Sequence, residues 1–290
     1  MTRFRSVLLA SLLAALPFWV AAGQDGDEPP PGSAAAEVQA IDKEYEAAQE
    51  AFWELYEQAK TEEERNKLIE EKHVKPASFF PRLWEIVEKH PGTDGAAEAL
   101  SWIAGHGARG TDLDRALEIL GRDHMRSEAL KGICVTLRYE VPPSAGKLLR
   151  RMMAESPHRE VKGLACYNLA KHLQRLAGTI RRLKGADEKT IEQYRDSYGA
   201  EIVKTLQGID PETLLPEAEG LLEQVLDRYQ DLEHYRGDLG HAAKGDLFEL
   251  RNLAIGKVAP EIEGEDIFAR SFRLSEYRGK VVVLDFWGNW

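Results

Sequence analysis

From Ala34 to Lys60 the apolar residues fall at Val38, Ile41, Tyr45, Ala48, Phe52, Leu55 and Ala59, with spacings that alternate three and four. Such a stripe predicts an amphipathic helix whose apolar face meets another helix. The stripe is short, so an antiparallel helix pair within the chain is preferred to a coiled-coil dimer, and helix-mediated self-association stays open. Ser33 is the expected N-cap of this helix, and Thr61 with Glu64 has the spacing of a capping box that opens the next. Pro76, Pro81 and Pro91-Gly92 then punctuate a run of short helices. Later helical patterns cover 159–183, 188–206 and 212–229. In the last, Leu214, Ala218, Leu221, Leu222, Val225 and Leu226 make one apolar face.

A faint internal repeat lies between about 93 and 156. Ala99-Leu100 with Ile103-Ala104 matches Ala129-Leu130 with Ile133-Cys134, and Leu117 matches Leu148 in the partner helices. A third first-helix, 161–173, puts Cys166 where Ala104 and Cys134 stand. Helix pairs at this period predict helical hairpins of a tetratricopeptide-like solenoid, whose usual period is ~34. The signature residues of that repeat are mostly missing.

Composition narrows the functional classes. The 290 residues carry 38 Lys and Arg against 49 Asp and Glu, a net charge of −11, so a general nucleic-acid binder is not expected. The two cysteines, Cys134 and Cys166, exclude a disulfide framework and a Cys-rich zinc module. Arg3 and Arg5 precede an almost wholly apolar run, Ser6 to Ala22, and Val20-Ala21-Ala22-Gly23 offers small residues for cleavage. Residues 1–23 therefore read as an export signal, with an uncleaved anchor as the alternative. No later stretch is apolar enough to span a membrane, so an exported, periplasmic or cell-envelope protein is expected. The Pro- and acid-rich stretch 24–32 reads as a disordered linker, and 33–250 as a helical domain.

Several motifs fail on context. Gly105-His106-Gly107-Ala108-Arg109-Gly110 spells a dinucleotide fingerprint, but helical periodicity precedes it where a strand is required, so it reads as a turn between helices. Arg236-Gly237-Asp238 reads as a loop that no hairpin presents. His234, His241 and Asp238 read as a solvated segment, not a metal site. Cys134 and Cys166 sit at equivalent positions of neighbouring helices, about 8–10 Å apart, beyond the ~7 Å reach of a disulfide. Buried free thiols are therefore preferred to a bridge. No cofactor and no metal is expected.

From Gly256 the pattern turns strand-like. Gly256-Lys257-Val258-Ala259-Pro260 is followed by Leu274-Ser275-Glu276-Tyr277-Arg278-Gly279-Lys280, and then by Val281-Val282-Val283-Leu284-Asp285-Phe286-Trp287-Gly288-Asn289-Trp290. The β-branched run predicts a strand buried on both faces. Asp285 lies inside it, and an ionised carboxylate there is costly to bury, which makes Asp285 a candidate proton store at a reactive site.

Together these elements resemble the opening of the exported thioredoxin-like redoxins of the TlpA and ResA type, within the wider AhpC/TSA superfamily. The resemblance covers 256–290 and implies the first β elements of an incomplete thioredoxin-like α/β domain, after a mostly α-helical region. It implies thiol–disulfide exchange with protein thiol or disulfide partners. By the same resemblance Asp285 is the buried carboxylate that assists proton transfer to the resolving cysteine. Trp290 is the aromatic that flanks the nucleophile, and Phe286 and Trp287 support the strand. The family continues with C-G-P-C, which these 290 residues do not contain, so the chain as given is expected to be inactive as an enzyme. It departs from the family at Phe268-Ala269-Arg270, where a hairpin glycine is usual, and at Gly288, where Ala is common. The alternative is a non-enzymatic helical-repeat adaptor with a vestigial redoxin segment; a peroxide-reducing member is a weaker third.

Overall fold

The computed structural model describes residues 29–108, 110–235, 237–254 and 256–285. The expected export signal, residues 24–28 of the linker, and Phe286 to Trp290 lie outside them. Among the described residues the chain is mostly α-helical with two small antiparallel sheets. It divides between Ala243 and Lys244 into a helical unit and a smaller C-terminal unit.

The helical unit opens with α1 (Ala34–Gln58), α2 (Glu62–Lys72), α3 (Phe80–Lys89) and α4 (Asp94–Gly105). Their ends form as the local sequence dictates. Ser33 Oγ accepts from the Ala36 amide at 3.2 Å. At α2 the Glu64 amide donates to Thr61 Oγ1 at 3.2 Å while Glu64 Oε2 accepts from the Thr61 amide at 3.3 Å, a closed capping box. The α1 stripe is covered from within the chain: Val38, Ile41, Tyr45 and Phe52 are buried, and the principal partner is α4. Trp102 of α4 is buried and donates from Nε1 to Asp42 Oδ1 of α1 at 2.7 Å. Tyr45 meets Phe79, Trp102 and His106 edge-on, with ring centroids 5.7, 5.4 and 5.2 Å away. The backbones approach closely at Gly95, where an added Cβ would lie 2.5 Å from the Ala35 amide nitrogen.

Next come α5 (Thr111–Asp123), α6 (Leu130–Leu137), α7 (Pro143–Glu155) and α8 (Arg159–Lys184). Helices α4, α6 and α8 are neighbours in turn, and α5 packs on α7. The repeat positions Leu100, Ile103 and Ala104 in α4, Leu130, Ile133 and Cys134 in α6, and Cys166 in α8 are all buried. The glycine-rich segment 105–110 separates α4 from α5, with Gly107 at φ +86° and Gly110 at φ +57°. The expected helix 188–206 is interrupted: Gly199 takes φ +89° and divides it into α9 (Glu188–Tyr198) and α10 (Ala200–Gln207). Helix α11 (Leu214–Arg228) packs along α8, and α12 (Leu239–Phe248) follows.

Helix α8 carries a buried histidine. His172 is buried, its Nε2 lies near Gly146 of α7, and its Nδ1 has no hydrogen-bond partner of ordinary geometry. Burial and, secondarily, the Arg150 guanidinium push its pKa down to about 4, against the opposing effect of the Leu137 backbone. No helix among the described residues is long and apolar enough to cross a membrane.

Two stability predictions follow from this packing. Gly95→Val overpacks the α1–α4 contact and lowers the urea midpoint, with a loss of about 1–3 kcal/mol. His172 is neutral in the fold, and its pKa falls from 6.5 to about 4 on folding. The unfolded chain therefore binds the extra proton, and stability drops as pH falls from 6.5 towards 4, by at most ~1.4 kcal/mol per pH unit for this one group. His172→Leu should flatten that slope in denaturant titrations across the same window; an unchanged slope would assign it to other groups.

Candidate functional site

The C-terminal unit is built around one hairpin. Strand β3 (Glu263–Glu265) pairs antiparallel with β4 (Ser271–Arg273), in the register Glu263–Arg273, Gly264–Phe272 and Glu265–Ser271. The Phe272 ring lies over Gly264, where an added Cβ would sit 3.3 Å from the ring edge. Arg273 Nε reaches Glu263 Oε1 across the pair at 3.0 Å. Asp266 Oδ1 closes the connection by accepting from the Phe268 amide at 2.8 Å and the Arg270 amide at 3.0 Å. Ala269 carries the left-handed conformation here, at φ +57°, in the segment where the resembling family places glycine. The turn therefore closes at a steric cost that a glycine would remove.

The hairpin is fastened to the Leu-Ser-x-Tyr turn by one carboxylate. Glu261 Oε1 accepts from the Ser275 amide at 2.9 Å and the Ile262 amide at 3.2 Å, and the Leu274 amide donates to the Ile262 carbonyl at 2.9 Å. The Ser275 hydrogen bond holds the Glu261 carboxyl below the usual carboxylate range. Glu261 was not a candidate from the sequence, because its partner lies 14 positions away and no short motif marks the pair. A short 3-10 turn, Leu274–Tyr277, leads to Gly279 at φ +83° and then to the apolar run.

The run does not form the doubly buried strand expected from its composition. Val281 is 97% exposed and Val283 87%, and 281–285 has no strand partner among the described residues. A strand buried on both faces needs flanking strands and covering helices. The hairpin is the one sheet among the described residues of this unit. Asp285 is accordingly exposed, not enclosed. Trp290, Phe286 and Trp287 lie outside the described residues, so Asp285 and Trp290 are not brought into a described site.

The thiols lie far from exchange chemistry. Cys134 and Cys166 are free and buried in the helical unit. Cys134 Sγ donates to the Leu130 carbonyl at 3.3 Å, and Cys166 Sγ to the Leu221 carbonyl at 3.4 Å. Burial pushes the Cys134 thiol well up and raises that of Cys166 to about 12. Neither environment favours a thiolate.

Other motifs resolve into local structure. The Gly237-Asp238 pair does belong to a hairpin, contrary to the loop expected: β2 (Gly237–Asp238) pairs with β1 (Glu233–His234). Asp238 Oδ1 accepts from the His241 amide at 2.6 Å, so that carboxylate caps the start of α12. His234 packs edge-on against Tyr167, 5.2 Å between centroids. Among the described residues no group of three or more His, Cys, Asp or Glu side chains could hold a metal ion.

No protein-family model matches the chain, and no solved structure matches it. Two curated proteins do. Thiol-disulfide oxidoreductase ResA of Geobacillus thermodenitrificans is 42% identical over 53 residues, 18% of this chain and 30% of the relative. Thiol-disulfide oxidoreductase ResA of Geobacillus kaustophilus is 47% identical over 38 residues, 13% of this chain and 22% of the relative. The matched stretch spans less than a third of either relative's length. These short matches support a thioredoxin-like relationship for a small part of the chain.

Proposed function

We propose that the segment 256–290 is the N-terminal portion of a thioredoxin-like domain of an exported thiol–disulfide oxidoreductase, and that the helical unit before it presents partners to that domain. The observation that carries this reading is sequence similarity to one family, seen in motif order and in identity. The order G-x-x-A-P, L-S-x-Y-x-G-K and D-F-W-x-x-W resembles the redoxin opening, and the chain is 42% identical over 53 residues to a thiol-disulfide oxidoreductase. The exposed Val281–Leu284 run fits a central strand awaiting its neighbours, because a continuous apolar segment gains its burial only inside a covered sheet. Export is supported by the charged and then apolar N-terminus.

Within this reading Asp285 is the proton-transfer carboxylate and Trp290 the aromatic beside the nucleophile. The exchange itself needs a thiolate and a second sulfur to resolve the mixed disulfide. Cys134 and Cys166 supply neither, because both are buried with raised pKa. The 290-residue chain should therefore reduce insulin disulfides no faster than dithiothreitol alone. A chimera joining residues 244–290 to the part of a ResA relative that begins at its C-x-x-C should restore turnover, and Asp285→Asn should lower it by about tenfold or more. A folded chimera without reductase activity, or activity indifferent to Asp285, would overturn the proposal.

A further inference from the structure

An apolar cluster lies at the C-terminal end of α8. Its buried members are Ile180 and Leu183 of α8, Val141 just before α7, and Val203 and Leu206 of α10. Helix α9 packs against it through Ile191, Tyr194 and Tyr198, which are only partly buried. Their spacings of three and four put them on one face of α9. That face rests on the cluster without entering it.

Helix α9 is loosely attached to what lies beneath. It has no buried residue, and it packs chiefly on α10, which in turn packs on α8. Its own polar groups are satisfied within the helix. Arg195 Nη1 donates to Glu188 at 2.7 Å and to Glu192 at 2.9 Å, and Ser197 Oγ donates to the Gln193 carbonyl at 2.8 Å. The side-chain hydrogen bond that ties it to α8 runs from Arg182 Nη1 to the Tyr194 hydroxyl, at 3.2 Å. Glycines bracket the helix. Gly185 ends α8, and Gly199 ends α9 at φ +89°, with nothing within 4 Å of an added Cβ. Two such junctions let the backbone turn where no side chain obstructs it. Helix α2 also lacks a buried residue, but no glycine flanks it.

We propose that α9 is a lid on this cluster, which opens as one piece at Gly185 and Gly199 while the rest of the helical unit stays folded. Segments open locally where little apolar surface must be exposed to do so. Opening α9 gives up three partly buried side chains and the Arg182–Tyr194 bond. Opening α8 would expose Cys166, His172 and Ile180, all buried. At 11 residues α9 is shorter than the ~12–15 at which isolated helices are marginal in water, so it unwinds once lifted. The side of the cluster it leaves is then an apolar surface at the end of α8 that exists only in the open state. The inference is independent of the redox reading, since all its residues belong to the helical unit.

The test is hydrogen exchange of the purified chain, read by mass spectrometry at neutral pH with urea kept below the unfolding transition. Amides 192–198 should exchange about tenfold or more faster than amides 165–180 of α8, at one common rate and with little dependence on urea. Tyr194→Ala removes both the apolar contact and the Arg182 bond, and should raise the α9 rate by about tenfold again. Exchange in α8 and the urea midpoint should stay as they are, which separates the lid from general destabilisation. Equal rates in α9 and α8 would overturn the proposal, as would rates graded inward from the ends of α9, which mark fraying. So would an α9 rate indifferent to Tyr194→Ala, or a midpoint that falls in step with it.

Discussion

Helix α8 is enclosed by α6, α7 and α11, and that enclosure limits what its buried positions can be. Gly163 leaves room for Leu232, whose Cδ1 would lie 2.3 Å from an added Cβ. Ala165, Cys166, Ala170 and Ala177 keep further buried positions small. Polar groups are admitted there only uncharged: Asn168 Nδ2 donates to the Leu164 carbonyl at 2.8 Å, and His172 is held in its neutral form. Two arginines of α8 are turned outward to carboxylates on other elements, Arg159 to Asp231 and Arg181 to Glu212. A helix surrounded in this way ties the hairpin α6–α7 to α11, so its small and neutral residues underlie the rest of the helical unit.

Much of that unit is legible in local chemistry. The Ser33 cap and the Thr61–Glu64 box form as their spacing implies, because capping is decided within four residues. The α1 stripe shows which face is buried, but not that its cover is α4, since period alone carries no partner identity. Gly199 illustrates the opposite failure. The apolar period runs through 188–206 unbroken, and the left-handed backbone at one glycine divides the helix. The Asp42–Trp102 hydrogen bond, spanning 60 positions, had no signal in the pattern at all.

The C-terminal unit was legible in a different way. Its motif order is readable because family resemblance concerns sequence, whereas burial of Asp285 depends on strands and helices that no described residue supplies. The hairpin shows the same division. Asp266 closes the turn through its own side chain, a device readable from residue type, while the Glu261–Ser275 clamp is set by tertiary approach.

Sulfur chemistry and packing make opposite demands on a cysteine, and this chain places both of its cysteines on the packing side. A thiol with a pKa near 12 is ionised at neutral pH to roughly one part in a hundred thousand. Cys134, more deeply buried and raised further, is ionised less still. Lowering either pKa would require a cation or a helix N-terminus beside the sulfur, and hence a break in the apolar contacts that let α6 and α8 pack. Neither cysteine of the helical unit is therefore poised as a thiolate for exchange.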